Sequence, residues 1–347
     1  MPSPSDRSAD PVRLLDLGLV SGARSQAVYH GLAEARTDET PDTVVFCVPR
    51  DPHVCIGYHQ PLATTVDVAF CEANGLPIIR RELGGGAVTL DDDQLFVQWI
   101  MAPDRVPARI DARFELFTRP IVETYRALGV PAEFVPANDV HVSGRKICGT
   151  GAARIGDAEV LVGNFLFDFD VERMSRVLAL DSDEQRDHVR RGLELYLTTL
   201  SRELGRDVPA NGRDRVRSIC RTRIGATLDA ELVEGTLTAA EIAAIESVER
   251  RFADPEYRVG PSGPGLRRAG VKIHENVWIH HSRRGNLRAV ARLRDGTIDD
   301  VTLIGENTAA LERALHGRPL DRNAVTDAVM STAAPDSWID TILDLNP

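Results

Sequence analysis

Along this chain the spacing of apolar residues switches between two and three-to-four, and each switch marks a predicted element. VRLLDLGLV, from Val12, reads as a strand, and a helix follows from about Gly22 to Ala35 with Val28, Leu32 and Ala35 on one side. TVVFCVP and VCIGYHQ are predicted to pair as strands, and VDVAFCEANG to form a short helix ended by Gly75. LPIIR is a further strand that runs into three consecutive glycines, Gly84 to Gly86, and then into the apolar run LFVQWIM ending at Met101. This half of the chain is therefore expected to be a sheet with a glycine turn at one mouth.

Phe114, Phe117, Ile121, Tyr125 and Leu128 recur at helical spacing and read as core, with Pro120 starting or kinking that helix. Between 138 and 168, Gly144, Gly149, Gly151, Gly156 and Gly163 break apolar stretches into strands and turns. A helix from about Ser182 to Leu204 turns Val189, Leu193, Leu197, Leu200 and Leu204 inward and Arg186, Arg190 and Arg191 outward. GRDVPANG, 205–212, is read as a loop, and Thr238-Ala-Ala-Glu241 as a capping box that starts a helix to about Phe252, with Leu237 and Ile242 as its staple. The densest glycine and proline cluster, EYRVGPSGPG, predicts a linker. Beyond it GVKIHENVWIHH, NLRAVARL and VTLIG alternate as strands around an Asp295-Gly296 hairpin turn, and two or three helices close the chain. The expected organisation is a mobile N-terminus (1–12), a large domain (13–254), a linker (255–265) and a small domain (266–347).

Composition narrows the function classes. The net charge of -11 argues against nucleic-acid or anionic-membrane binding. There is no apolar run of about 18 residues, and MPSPSDRSADP lacks the character of a signal peptide, so a soluble cytoplasmic protein, most simply a monomer, is expected. The five cysteines, at 47, 55, 71, 148 and 220, show no metal spacing and read as reduced, buried thiols.

Two stretches carry candidate chemistry. RRELGGGAV, 80–88, sets two guanidinium forks before glycines whose backbone N–H groups no side chain covers, a combination suited to an anion. NDVHVSGRKICGTG, 138–151, holds Lys146, one of only two lysines beside 39 arginines, which points to a position that wants a compact, mobile ammonium. Asp91, Asp92 and Asp93 read as a solvated loop rather than a metal cluster.

In order and spacing, RRELGGGAVTLDD, NDVHVSGRKICGTG and the strand VLVGNFLFDFD resemble the lipoate-protein ligase A family, part of the superfamily of biotin and lipoate ligases and octanoyltransferases. The resemblance runs from about Leu14 to Leu204 and more weakly beyond about 265. It implies an α+β fold, with a mixed sheet flanked by helices like the class II aminoacyl-tRNA synthetase core, and a small α+β C-terminal domain. It also implies an ATP-dependent enzyme that makes lipoyl-AMP and passes the lipoyl group to a carrier lysine, on a dehydrogenase E2 domain, a glycine-cleavage H protein or a related lipoyl-binding protein.

By the same resemblance Lys146 is the catalytic cation, touching the acyl carboxylate and the α-phosphate. Arg81, Gly84, Gly85, Gly86, Ala87, Val88, Thr89, Asn138, Gly149 and Thr150 lie against ATP or the adenylate. Lipoate is lined by Ile56, Tyr58, His59, Arg80, Val88 and Gly163, and Asp139 is the candidate ligand for Mg²⁺ bridging phosphates.

The chain departs from the family pattern in two places. Val162-Gly163-Asn164 stands where many of these ligases carry a His-Gly pair, and Cys148 replaces a small residue. Cys148, two residues from Lys146, opens an alternative, an ATP-independent octanoyl transferase with a cysteine nucleophile. FVPA, 134–137, where one transferase branch keeps its cysteine, has none. A non-catalytic lipoate-binding protein is the other alternative. Biotin ligation is disfavoured because no GRGRxGR-like loop is present.

Overall fold

A computed structural model describes residues 10–260, 270–274 and 276–346. Residues 1–9 of the expected mobile N-terminus and 261–265 of the expected linker lie outside the described residues, while Val12 already belongs to the first strand.

The chain divides into two compact units, 1–63 with 68–170 and 198–262, and 64–67 with 171–197 and 263–347. In the first, β1 (Val12–Val20), β2 (Thr43–Pro49), β6 (Gln94–Met101), β10 (Thr150–Ile155), β11 (Ala158–Leu166) and β12 (Leu232–Glu234) form a mixed sheet in the order β10-β11-β6-β2-β1-β12. Strand β1 runs parallel to β2 and β12, and the remaining pairs are antiparallel. Two small sheets sit within this unit, β4-β3-β5 from β3 (His53–Ile56), β4 (Ile78–Arg80) and β5 (Val88–Leu90), and β7-β8-β9 from β7 (Glu133–Val135), β8 (Asp139–Val142) and β9 (Arg145–Cys148).

Every residue of β6 is buried, so the sheet needs cover on both faces, as a run without alternation requires. On one face Trp99, Leu161 and Phe165 pack with Phe117, Ile121 and Tyr125 of α4 (Ile110–Ala127) and with Val216, Cys220 and Ile224 of α8 (Ala210–Leu228). On the other, Ile100 and Val160 meet Val28, Tyr29 and Leu32 of α1 (Gly22–Glu34) and Ile245, Val248 and Phe252 of α9 (Ala239–Ala253).

The second unit builds an antiparallel sheet from β13 (Val271–His274), β14 (Val277–Arg284), β15 (Leu287–Arg294) and β16 (Thr297–Ile304). Ala289, Ala291 and Leu293 pack against α11 (Ala309–Leu315), α12 (Arg322–Thr332) and α13 (Ser337–Leu343). On the alternate positions Arg292 lies over Tyr196 of α6 (Asp183–Tyr196), 5.8 Å from the ring centre. The fold is α+β, a mixed sheet flanked by helices with a small sheet domain toward the C-terminus. Among the described residues no helix is long and apolar enough to cross a membrane.

Several expectations change. TVVFCVP and HVCI do not pair; β2 stays in the large sheet while β3 joins β4 and β5, because the chain turns at Arg50 to Pro52 between them. The long helix from 182 breaks after Tyr196. Leu197 and Thr199 are extended, and the Thr199 hydroxyl caps a new helix, α7 (Leu200–Leu204), by accepting from the Arg202 N–H. Residues 171–197, expected in the large domain, group with the second unit.

The Thr238 capping box is present, and Ile242, expected in its staple, is 39% exposed. The start of the expected linker is a further turn of helix, α10 (Pro255–Val259), capped by Asp254. The arginines of α6 expected to face outward are engaged within the chain. Arg190 pairs with Asp187 and Glu194, Arg191 with Asp187 and Asp300, and Arg186 donates to the Ser175 carbonyl.

Candidate active site

The glycine turn hangs between β4 and β5. It is tied to the end of β3 by two backbone bonds, Arg81 N–H to the Ile56 carbonyl at 3.0 Å and Tyr58 N–H to the Leu83 carbonyl at 3.1 Å. A Cβ on Gly57 would lie 2.1 Å from the Gly85 oxygen, so glycine at 57 is what lets the two segments touch. Gly84, Gly85 and Gly86 are exposed, and Gly85 has φ +93°.

Arg81 does not reach outward as a phosphate fork. Its guanidinium folds under the turn and donates to the carbonyls of Gly84 (2.7 Å), Gly86 (2.9 Å) and Cys55 (3.3 Å). In a trans peptide the C=O and the next N–H point in opposite directions. Drawing the carbonyls of Gly84 and Gly86 toward Arg81 therefore turns the N–H groups of Gly85 and Ala87 away from it, toward the open side of the turn. The arginine thus shapes the turn, and the amides, rather than the guanidinium, are the groups left to meet an anion. Arg80 is buried and bonded entirely to backbone oxygens, so it too is turned from the expected ligand.

Lys146 stands on the β8–β9 hairpin, whose turn residues Ser143 and Gly144 have φ +51° and +77°. Its ammonium donates to Asp139 Oδ1 at 2.6 Å, and its side chain remains 23% exposed beside a carboxylate at 3%. Burial pushes the Asp139 carboxyl up, but His141 and the Lys146 ammonium together outweigh it and hold the group well below the usual carboxylate range. Asp139 Oδ2 is buried without a hydrogen-bond partner, 3.6 Å from His141 Nε2. One unpartnered carboxylate oxygen is a donor that a magnesium ion on phosphate could use.

The hairpin is fixed from three sides. The Tyr125 hydroxyl donates to the Ile147 carbonyl (3.2 Å), the Thr198 N–H to the Lys146 carbonyl (2.9 Å), and Arg145 pairs with Glu203 (2.8 Å).

A buried relay joins the two motifs. Gly149 N–H donates to Asn164 Oδ1 (2.8 Å), Asn164 Nδ2 to Gln94 Oε1 (2.9 Å), and Gln94 Nε2 to the Thr89 carbonyl (3.1 Å). Leu83 closes the gap from the other side, since a Cβ on Gly151 would lie 3.2 Å from its Cδ1. Thr150 is held by a hydrogen bond to the Asn138 carbonyl. Sequence reading missed Asn164 and Gln94. The signal was a polar residue inside one apolar strand at 164 and another opening an apolar strand at 94, but neither has a partner nearby in the chain.

Gly163 does not line the same side as Val88. A Cβ there would strike Ile121 of α4 at 2.7 Å. Its neighbour Val162 packs instead with Val88, Leu17, Phe96 and Leu90 in an apolar cluster. Ile56 is buried in its strand, while Tyr58 (43% exposed) and His59 stack edge to face with ring centres 5.0 Å apart. All five cysteines are buried. Burial pushes the Cys148 thiol up to about 12, far outweighing the pull of Lys146 toward thiolate. In the Asp91–Asp93 run, Arg213 takes Asp93 and the Asp92 carbonyl, consistent with an ion-paired surface loop.

The Lipoyl protein ligase A/B catalytic domain model matches residues 22–214, more than half of the chain. The chain belongs to the lipoyl protein ligase A/B family. The lipoate-protein ligase LplJ of Bacillus subtilis is 24% identical over 288 residues, covering 80% of this chain and 82% of that protein. The octanoyltransferase LipM of Kyrpidia tusciae is 27% identical over 270 residues, covering 71% and 97%. The fold is shared with a solved bipartite lipoate protein ligase from Thermoplasma acidophilum, described with its E2 lipoyl domain, at a TM-score of 0.64 and 24% identity over 72% of this chain and 96% of that one. Relatives in this family thus include both lipoate-protein ligases and octanoyltransferases.

Proposed function

We propose that this lipoyl ligase A/B family member is an ATP-dependent lipoate-protein ligase. The observation that carries this reading is the burial of every cysteine together with a partly open Lys146. A thioester route needs a thiolate that an acyl donor can reach. An adenylate route needs fixed positive charge and backbone donors where phosphate charge develops, and preorganised donors of that kind are each worth about 10²–10³ in rate.

In the first step a lipoate oxygen attacks the α-phosphorus of ATP, forming the mixed anhydride as the bond to pyrophosphate breaks. Asp139 holds the Lys146 ammonium on the hairpin, where its remaining donors meet the carboxylate and α-phosphate oxygens. The N–H groups of Gly85 and Ala87 meet the phosphates. Asp139 Oδ2 would hold a magnesium ion, which supplies charge neutralisation on the phosphate oxygens. Val88, Val162, Leu17 and Phe96 offer an apolar wall for the acyl chain.

In the second step the amine of a carrier lysine attacks the acyl carbonyl, an amide forms and AMP leaves. The carrier class, lipoyl domains and their relatives, is supported by the E2 lipoyl domain described with the Thermoplasma ligase.

The test is pyrophosphate release from ATP and lipoate, followed by mass spectrometry of E2 lipoyl domains and H protein incubated with the enzyme. Octanoyltransferases among the relatives make the competing outcome concrete. Acyl transfer from octanoyl carrier protein without ATP, lost in Cys148→Ala, would replace this reading.

A further inference from the structure

The geometry points to Arg80 as a positioning residue that makes helix α10 and Gly260 part of the acyl site. The inference rests on the proposed ligase reading in taking Tyr58 and His59 to lie beside lipoate, as the family resemblance implies; the clamp itself is independent of it.

Arg80 is 1% exposed, and a guanidinium has five N–H donors in a rigid fork. All five are engaged. Nη1 donates to the carbonyls of Gly57 (3.0 Å) and Tyr58 (2.7 Å). Nη2 donates to those of Arg258 (2.9 Å) and Val259 (3.0 Å), and Nε again to Arg258 (3.2 Å). Every partner is an uncharged backbone oxygen, two from the segment that touches the glycine turn and two from the last turn of α10. With no donor left over, Arg80 takes no substrate oxygen while the clamp holds. Its effect on substrate passes through the segment that carries Tyr58.

The far side of the clamp is equally specific. Gly260 has φ +71°, and a Cβ there would lie 2.3 Å from the Arg80 Cζ, so only glycine lets the backbone rest on the guanidinium plane. The next side chain in the motif reinforces the same junction, since Glu82 pairs with Arg251 of α9 at 2.9 Å, and Arg251 lies over the Tyr257 ring of α10 at 5.8 Å. RRE therefore fastens the end of α9 and α10 beneath the glycine turn. A lysine at 80 keeps the charge but offers three donors from one atom, too few and too concentrated to span four carbonyls.

The experiment compares Arg80→Lys and Gly260→Ala, which break the clamp from opposite sides, in the full-length protein. Hydrogen exchange of the backbone amides at 57–60 is expected to rise in both, while exchange in the central strand at 95–101 stays at its original rate. KM for the acyl substrate is expected to rise about tenfold, the loss of roughly one charge-assisted hydrogen bond, with KM for ATP and kcat changed less than about threefold.

Unchanged exchange at 57–60 together with unchanged KM in both variants would overturn the assignment. So would exchange rising uniformly through the core, which marks a general scaffold role. The exchange readout needs no substrate, so the clamp is tested even if the enzyme proves to use a thioester donor and no ATP. In that case KM is read with the thioester.

Discussion

The Lys146 ammonium rests 2.6 Å from Asp139 Oδ1, a partly open cation on a nearly buried anion. The carboxylate depends on the ammonium, since a buried carboxylate left unpaired costs several kcal/mol or takes up a proton. Lys146→Ala is therefore expected to lower adenylate formation by at least about 10²-fold and to cost about 1–3 kcal/mol of stability. The double variant Lys146→Met with Asp139→Asn is expected to regain most of the stability and none of the activity. Pyrophosphate release and thermal unfolding, measured on both, separate the two effects. Adenylate formation in Lys146→Ala at the original rate would remove the lysine from the chemistry.

Asn164→Leu fills similar space and removes the middle of the relay, leaving Gln94 Oε1 unpaired inside the protein and the part-buried Gly149 N–H without its partner. A loss of about 1–3 kcal/mol is expected, the cost of one orphaned buried group. Denaturant unfolding measures it, and a change below about 0.5 kcal/mol would show that the relay does not hold the two motifs together.

Cys148 sits 1% exposed with its thiol pushed up to about 12. Cys148→Ala is expected to leave ATP-dependent ligation within about twofold of the parent, and the native thiol to resist a thiol reagent at pH 8 until the protein unfolds. Rapid labelling of Cys148 in the folded protein would contradict this.

Acid should weaken the fold through its buried histidines. Burial lowers both His53 and His188 to about 4. In the unfolded chain each takes a proton near about 6.5. Below that pH the unfolded state binds more protons, so stability falls as pH drops from about 6.5 to about 4 and levels off beneath. Asp139 acts further down. Its stabilising pair is complete above the unfolded carboxyl value of about 3.9 and is lost as pH falls through the lower folded value. Unfolding temperatures from pH 8 to pH 4 check the histidine limb, and His53→Asn is expected to flatten part of it.

What was legible in the sequence was what neighbouring residues determine. The Thr238 capping box, the Asp295-Gly296 turn and the β6 run need only their own few positions, and each appears where its pattern placed it. Helix α8 left almost no trace, because only Val216, Cys220 and Ile224 face inward among arginines and small residues. Thr198 could not be recognised as a helix breaker without its N–H acceptor, the Lys146 carbonyl, which lies 52 positions away in the chain. Arg80 and Arg81 were legible as cations but not as clamps, since backbone carbonyls leave no mark in the order of side chains. Gly163 and Val162 differ by one position and so by a face of the sheet, a distinction that strand register alone decides.

The bond from the Thr198 amide to the Lys146 oxygen reaches beyond the hairpin it steadies. Residues 171–197 group with the second unit, but the first few residues after that excursion are a splint for the strand that carries Lys146. A shortened form that rejoined the chain beyond Leu204 would lose the splint and leave the lysine's own peptide group bare.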